Sequence, residues 1–103
     1  MGINKQVSEE IANNAKAEMG KVSALDSQVS EEAPFSNWKL RQAMYKLKDV
    51  ETVLLAHAAK APRDVDATKW IGVAKSQIAG ALKLRLEVQE HFNKFGPNMV
   101  EIG

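Results

Sequence analysis

The chain has 103 residues, 26% of them charged and 45% apolar, with a formal net charge of +1. These values fit one small globular domain, and they exclude disorder of the whole chain and the strong positive excess of a dedicated polyanion binder. There is no cysteine, which rules out disulfides and thiolate metal sites.

The charge is unevenly spread. Residues 1–35 hold three lysines against six acids, residues 36–63 hold six basic residues against two acids, and residues 64–103 are balanced. The expected organisation is a single helical domain over 1–103. It divides into an acidic N-terminal helix and linker (1–35), a helical hairpin (36–96) and a loose tail (97–103).

The N-terminus has no apolar run of the kind a secretory signal needs, and Gly2 lacks the downstream Ser or Thr of a myristoylation motif. No stretch approaches the length of a membrane span. A cytoplasmic location is expected. Over residues 4–29, Ile3, Val7, Ile11, Ala15, Met19, Val22, Leu25 and Val29 recur at helical spacing, with Asn4 able to cap. The stripe is thin, and Gly20 within it weakens the helix by about 1 kcal/mol relative to alanine. The linker runs from Ser30 to Pro34. The pattern leaves open whether the N-terminal helix completes a three-helix bundle within the chain or reaches across to a second one in an intertwined oligomer.

A second helix is predicted near 37–60, with Ser36 as its N-cap and Leu40, Ala43, Leu47, Val50, Leu54, His57 and Ala61 as its apolar face. His57 is expected on that seam near Trp70, packed with one hydrogen bond. Pro62 ends the helix, because the residue before a proline avoids the α region. Asp64 or Asp66 can cap a third helix near 65–95, whose inner face is Ala67, Ile71, Ala74, Ile78, Ala81, Arg85, Val88, Phe92 and Phe95. Gly96-Pro97 stops it. A connection this short forces an antiparallel pair. If Lys60 faces Val65, the register continues with Gln42 facing Lys83 and Leu40 facing Arg85. At 1.5 Å per residue the two helices are about 36 and 46 Å long, so the end of the third overhangs. Phe35, Trp38, Val88, Phe92 and Phe95 cluster there as a candidate oligomer interface. Ala79-Gly80-Ala81 allows another helix to approach closely.

No residue set carries catalytic chemistry. There is no Glu-x-x-His, no second histidine at helical spacing, no Gly-x-Ser-x-Gly and no glycine-rich phosphate loop. An enzyme built on His91 and Glu87 is disfavoured on the same grounds. No cofactor and no metal are expected. The notable cluster is basic: Lys39, Arg41, Lys46 and Lys48 on the second helix, with Lys83 and Arg85 at the same height and Tyr45 on the same stripe as Arg41 and Lys48. Such a patch suits a phosphate or carboxylate, with a ring stacking on a base. The competing reading is a solvated face, with Glu87 pairing to Lys83 or the acidic N-terminal segment neutralising the cations.

The function expected from these features is that of a non-enzymatic helical interaction protein, self-associating and binding a macromolecular partner. Its architecture is one common among small phage and bacterial regulators and inhibitors. The alternative is a module that binds a nucleotide or other anion through Lys39, Arg41, Tyr45, Lys46, Lys48, Lys83 and Arg85, as a nucleotide-sequestering anti-defence protein would. Weak nucleic-acid binding is a third possibility, and no membrane partner is expected.

Overall fold

Pro62 sets the architecture. Ala61 before it is extended (φ −62°, ψ 130°), and the chain reverses there. The structure, a computed structural model, describes residues 3–97, 100 and 101. It contains α1 (Ile3–Asp26), α2 (Pro34–Asp49), a π-helical turn (Val50–Leu54), α3 (Leu55–Lys60) and α4 (Asp64–Phe95). α2, the π turn and α3 form one continuous arm, and α4 returns antiparallel beside it. α1 packs against both arms of its own chain, giving a three-helix rod of 50 × 21 × 17 Å. None of the described helices is long and apolar enough to cross a membrane.

The hairpin register is within one or two residues of the expected one. Lys39 pairs with Glu87 at 3.4 Å, Gln77 approaches Asp49 at 3.5 Å, and His57 stacks on Trp70 with ring centroids 4.6 Å apart. The core is built from small residues. Ala15, Ala33, Ala43, Ala58, Ala74 and Ala81 are buried with Leu40, Leu47, Val22, Val50 and Val88. Alanine brings the helices close but contributes little apolar area, so the few large side chains carry a disproportionate share of the hydrophobic stabilisation. Gly80 serves close approach as expected. The aliphatic stem of Lys46 lies 3.5 Å from where a Cβ would sit. Gly20 does not break α1, which runs through it.

The π turn was not anticipated, and it corrects the placement of His57. The backbone N–H of Leu55 donates to the Val50 carbonyl, five residues back, and the Thr52 hydroxyl donates to the Lys48 carbonyl at 2.8 Å. The wider turn absorbs an extra residue. Leu54 at its end and Ala58 beyond it are buried, and His57 is turned outward. The expected apolar face places His57 and Ala61 there instead. His57 is exposed, held flat against Trp70 with an interplanar angle of 21°.

Both expected helix caps are also corrected. α2 begins at Pro34, with proline in the first turn where its missing N–H costs nothing. Ser36 is inside that turn and buried. α4 begins at Asp64, and Asp66 accepts from the Arg63 guanidinium at 3.0 Å instead of capping. The tail expected to be loose is tied down at Glu101, whose N–H donates to the Glu32 carbonyl at 2.9 Å. Asn98, Met99, Ile102 and Gly103, also part of that expected tail, lie outside the described residues. Gly96 ends α4 with φ 76°, the left-handed conformation that favours glycine.

Candidate functional site

Helical spacing along α2 places Trp38, Arg41, Tyr45 and Lys48 in one outward stripe, three and four residues apart. The stripe alternates ring and cation. Trp38 and Tyr45 are each 56% exposed, unusual for the largest aromatic side chains of so small a protein. The stripe forms one wall of an open cleft of about 860 Å³. The opposite wall is the end of α1, with Val22, Asp26 and Ser27, and the connection that follows, with Val29 and Glu31. Leu40 and Met44 also line it. The cleft is therefore mixed in character and more polar than apolar, with Arg41 and Lys48 on one side and Asp26 and Glu31 on the other. None of these four charged groups makes an ion pair among the described residues.

The seven residues of the expected anion site are not brought together. Arg41, Tyr45 and Lys48 share the cleft, but Lys39 turns to Glu87 across the hairpin. Lys46 lays its stem over Gly80. Lys83 lies on the outer face of α4 beside Leu82 and Leu86. Arg85 turns inward. Its Nε donates to Glu18 Oε2, and its Nη2 donates to Oε1 at 3.3 Å, with both side chains nearly buried. The axial register was correct, but Arg85 points to the α1 side and its charge is consumed there. Glu87 accordingly pairs with Lys39, not with Lys83.

The expected interface residues also divide. Val88 is only 1% exposed and belongs to the core, and Phe92 packs half-buried against it. Phe35 and Phe95 remain more than half exposed, as does Trp38. Phe95 rests on the His91 ring with centroids 4.6 Å apart. Val88 is thus covered within the chain and Phe92 partly so, while Phe95 stays open at the end of α4.

Two residues that matter here were not singled out from the sequence. Glu18 sits among the apolar positions of α1, between Ala15 and Val22, and is buried. An acid on one inner stripe and Arg85 on another is a signal for a buried ion pair. Glu101 gives no such local signal. Its carboxylate accepts from the N–H groups of Phe35 and Ser36 and from the Ser36 hydroxyl, and His91 Nε2 lies 3.5 Å away. Burial pushes this carboxyl up. The Ser36 hydroxyl, the two amides and the charge of a protonated His91 outweigh that and hold its pKa below the usual carboxylate value. Among the described residues, no three His, Asp or Glu side chains converge as metal ligands would.

No family model matches the chain, and neither a curated protein nor a solved structure matches it significantly.

Proposed function

We propose that this protein is a non-enzymatic helical interaction protein that binds a macromolecular partner by seating a polypeptide segment in the cleft between α1 and α2. The observation that carries the reading is the exposed run Trp38–Arg41–Tyr45 on one helical face. Tryptophan, tyrosine and arginine are the residues most enriched where binding energy concentrates, and here they border an open cleft. The charges favour a polypeptide over a polyanion. Asp26 and Glu31 face the space that Arg41 and Lys48 attract an anion into, so a segment bearing both signs of charge is the better complement.

The test is selection of a random peptide library on the full chain, with each selected peptide re-measured against Trp38→Ala and Arg41→Glu. The expected result is a shared peptide motif whose affinity falls about thirtyfold or more when Trp38 is truncated. Selected peptides that bind wild type and both variants equally would place docking elsewhere.

A second reading has one observation in its favour: Arg41 and Lys48 make no ion pair among the described residues and lie beside two accessible rings, as a nucleotide site would need. A thermal-shift panel of nucleotides separates the two. A stabilisation that disappears in Arg41→Ala supports the nucleotide, and none with any nucleotide removes it.

A further inference from the structure

We propose that a second copy of this chain packs antiparallel against the outer face of α4, centred between Leu82 and Lys83. The inference rests on the reading of the chain as an interaction protein but uses a different surface from the α1–α2 cleft. α4 turns Ala81, Ala74 and Val88 into its own bundle. On the opposite side it exposes Gly72, Lys75, Ala79, Leu82, Lys83, Leu86, Glu90 and Asn93. Leu86 is 50% exposed, and Ala79, Leu82 and Leu86 line one shallow apolar depression there. An apolar strip at the middle of a long straight helix, with polar residues at both ends, is the pattern of a helix–helix seam.

The order of the residues selects the occupant. Lys75 and Glu90 are equidistant from the Leu82–Lys83 midpoint, about 11 Å to either side at 1.5 Å per residue. Ala79 and Leu86 share that midpoint, as do Gly72 and Asn93. A two-fold axis there brings Lys75 of each copy beside Glu90 of the other. It also sets each Leu86 against the small Ala79 of the other, large against small, as interdigitating ridges require. Parallel pairing would instead place lysine on lysine and glutamate on glutamate, which is repulsive. The face is thus complementary in its Lys75–Glu90 charges and in side-chain size when the second helix runs the other way.

Sedimentation equilibrium on the full chain, from low micromolar to near-millimolar concentration, tests this. The wild-type chain is expected to dimerise, and Leu86→Asp to be monomeric with unchanged helicity. Lys75→Glu and Glu90→Lys are each expected to raise the dissociation constant about fivefold or more. Mixing these two variants in equal amounts should recover the wild-type constant, because both intermolecular pairs are then again of opposite charge, one as in wild type and one with exchanged signs. A merely sticky helix would show no such rescue. Trp38→Ala should dimerise normally. A wild-type monomer throughout, a dimer that survives Leu86→Asp, or no recovery on mixing would each overturn the proposal. Dissociation by Trp38→Ala with Leu86→Asp intact would overturn it too, by moving the association to the cleft. None of these outcomes decides whether peptides dock between α1 and α2, which the peptide selection measures on its own.

Discussion

Glu101 caps the helix that contains Ser36 from 65 positions further along the chain. Its Oε2 accepts from the Ser36 amide at 3.1 Å and from the Phe35 amide at 2.7 Å. These are among the N–H groups that the start of any helix leaves without an intrahelical partner, at the positive end of the macrodipole. The contact joins the beginning of α2 to the chain beyond α4, and His91 on the last turns of α4 borders it.

Removing this cap should be visible in stability. Glu101→Ala is expected to cost about 1–2 kcal/mol, and Glu101→Gln, which keeps an acceptor but loses the charge, about half as much. Urea denaturation with an unchanged slope is the measurement. Wild-type stability in both variants would mean that the contact contributes nothing in solution.

The same carboxylate predicts an acid dependence of definite sign. Its pKa is lowered in the folded chain, so the unfolded chain binds the proton more readily. The stabilisation is therefore fully present above the unfolded carboxylate value of about 4 and is lost as pH falls through the lower folded value. Between about pH 5 and pH 3, wild type should lose more stability than Glu101→Gln does. Parallel pH profiles for the two would remove Glu101 as the cause.

Arg85 and Glu18 form the nearly buried charge pair that fastens α1 to α4. Removing one partner strands the other, so Arg85→Ala or Glu18→Ala is expected to cost about 3 kcal/mol or more. Replacing both with apolar residues of similar volume, Arg85→Met with Glu18→Leu, should recover most of that loss. Thermal unfolding of the two single variants and the double variant measures the coupling. Equal losses in all three would show that side-chain packing, not charge, fixes the contact.

What could be read from the sequence followed the range of each signal. Apolar spacing, Pro62 and Gly96 act over a few residues, and they located the three helical arms, the reversal and the helix stop. The hairpin register then needed only the length of the connection, and it places Lys39 by Glu87 nearly as expected. Apart from the two helix caps, which are local, the failures required a third body or a change of helical phase. The π turn changes the helical phase after Val50, and Ala58 is buried where His57 was expected. Lys83 and Arg85 sit at the predicted height, but only the position of α1 reveals that Arg85 is spent on Glu18. The Glu101 cap joins positions too distant for any local pattern to connect. For the same reason the cleft was half legible: Arg41, Tyr45 and Lys48 follow from the spacing of α2, whereas Asp26 and Glu31 enter only once α1 folds back.

Gly20 offers a check on how far α1 is limited by its own propensity. A methyl group added there meets nothing within 4 Å, and the position is exposed. Gly20→Ala is therefore expected to stabilise the chain by about 0.5–1 kcal/mol, through the unfolded chain as well as the helix. At Gly80, where the Lys46 stem lies 3.5 Å away, alanine makes an ordinary contact and should also be tolerated. Chemical denaturation of both variants tests this, and a destabilised Gly20→Ala would show that α1 is curved or contacted there.

Trp38 and Leu40 lie two residues apart on α2 and should respond in opposite ways. Leu40 is almost wholly buried among α1, α2 and α4, whereas more than half of Trp38 faces solvent at the mouth of the cleft. Leu40→Ala leaves a cavity in a core that has few large side chains, and about 2–5 kcal/mol is expected to be lost. Trp38→Ala removes a far larger side chain, yet its ring serves no interior, so a change within about 0.5 kcal/mol is expected. Stability unchanged by the loss of Trp38 would support the proposed docking surface, because the ring is then not held there for packing. A loss of several kcal/mol in Trp38→Ala, measured by urea denaturation, would mean that the ring holds the bundle together. The partner-binding surface would then have to be sought away from α2.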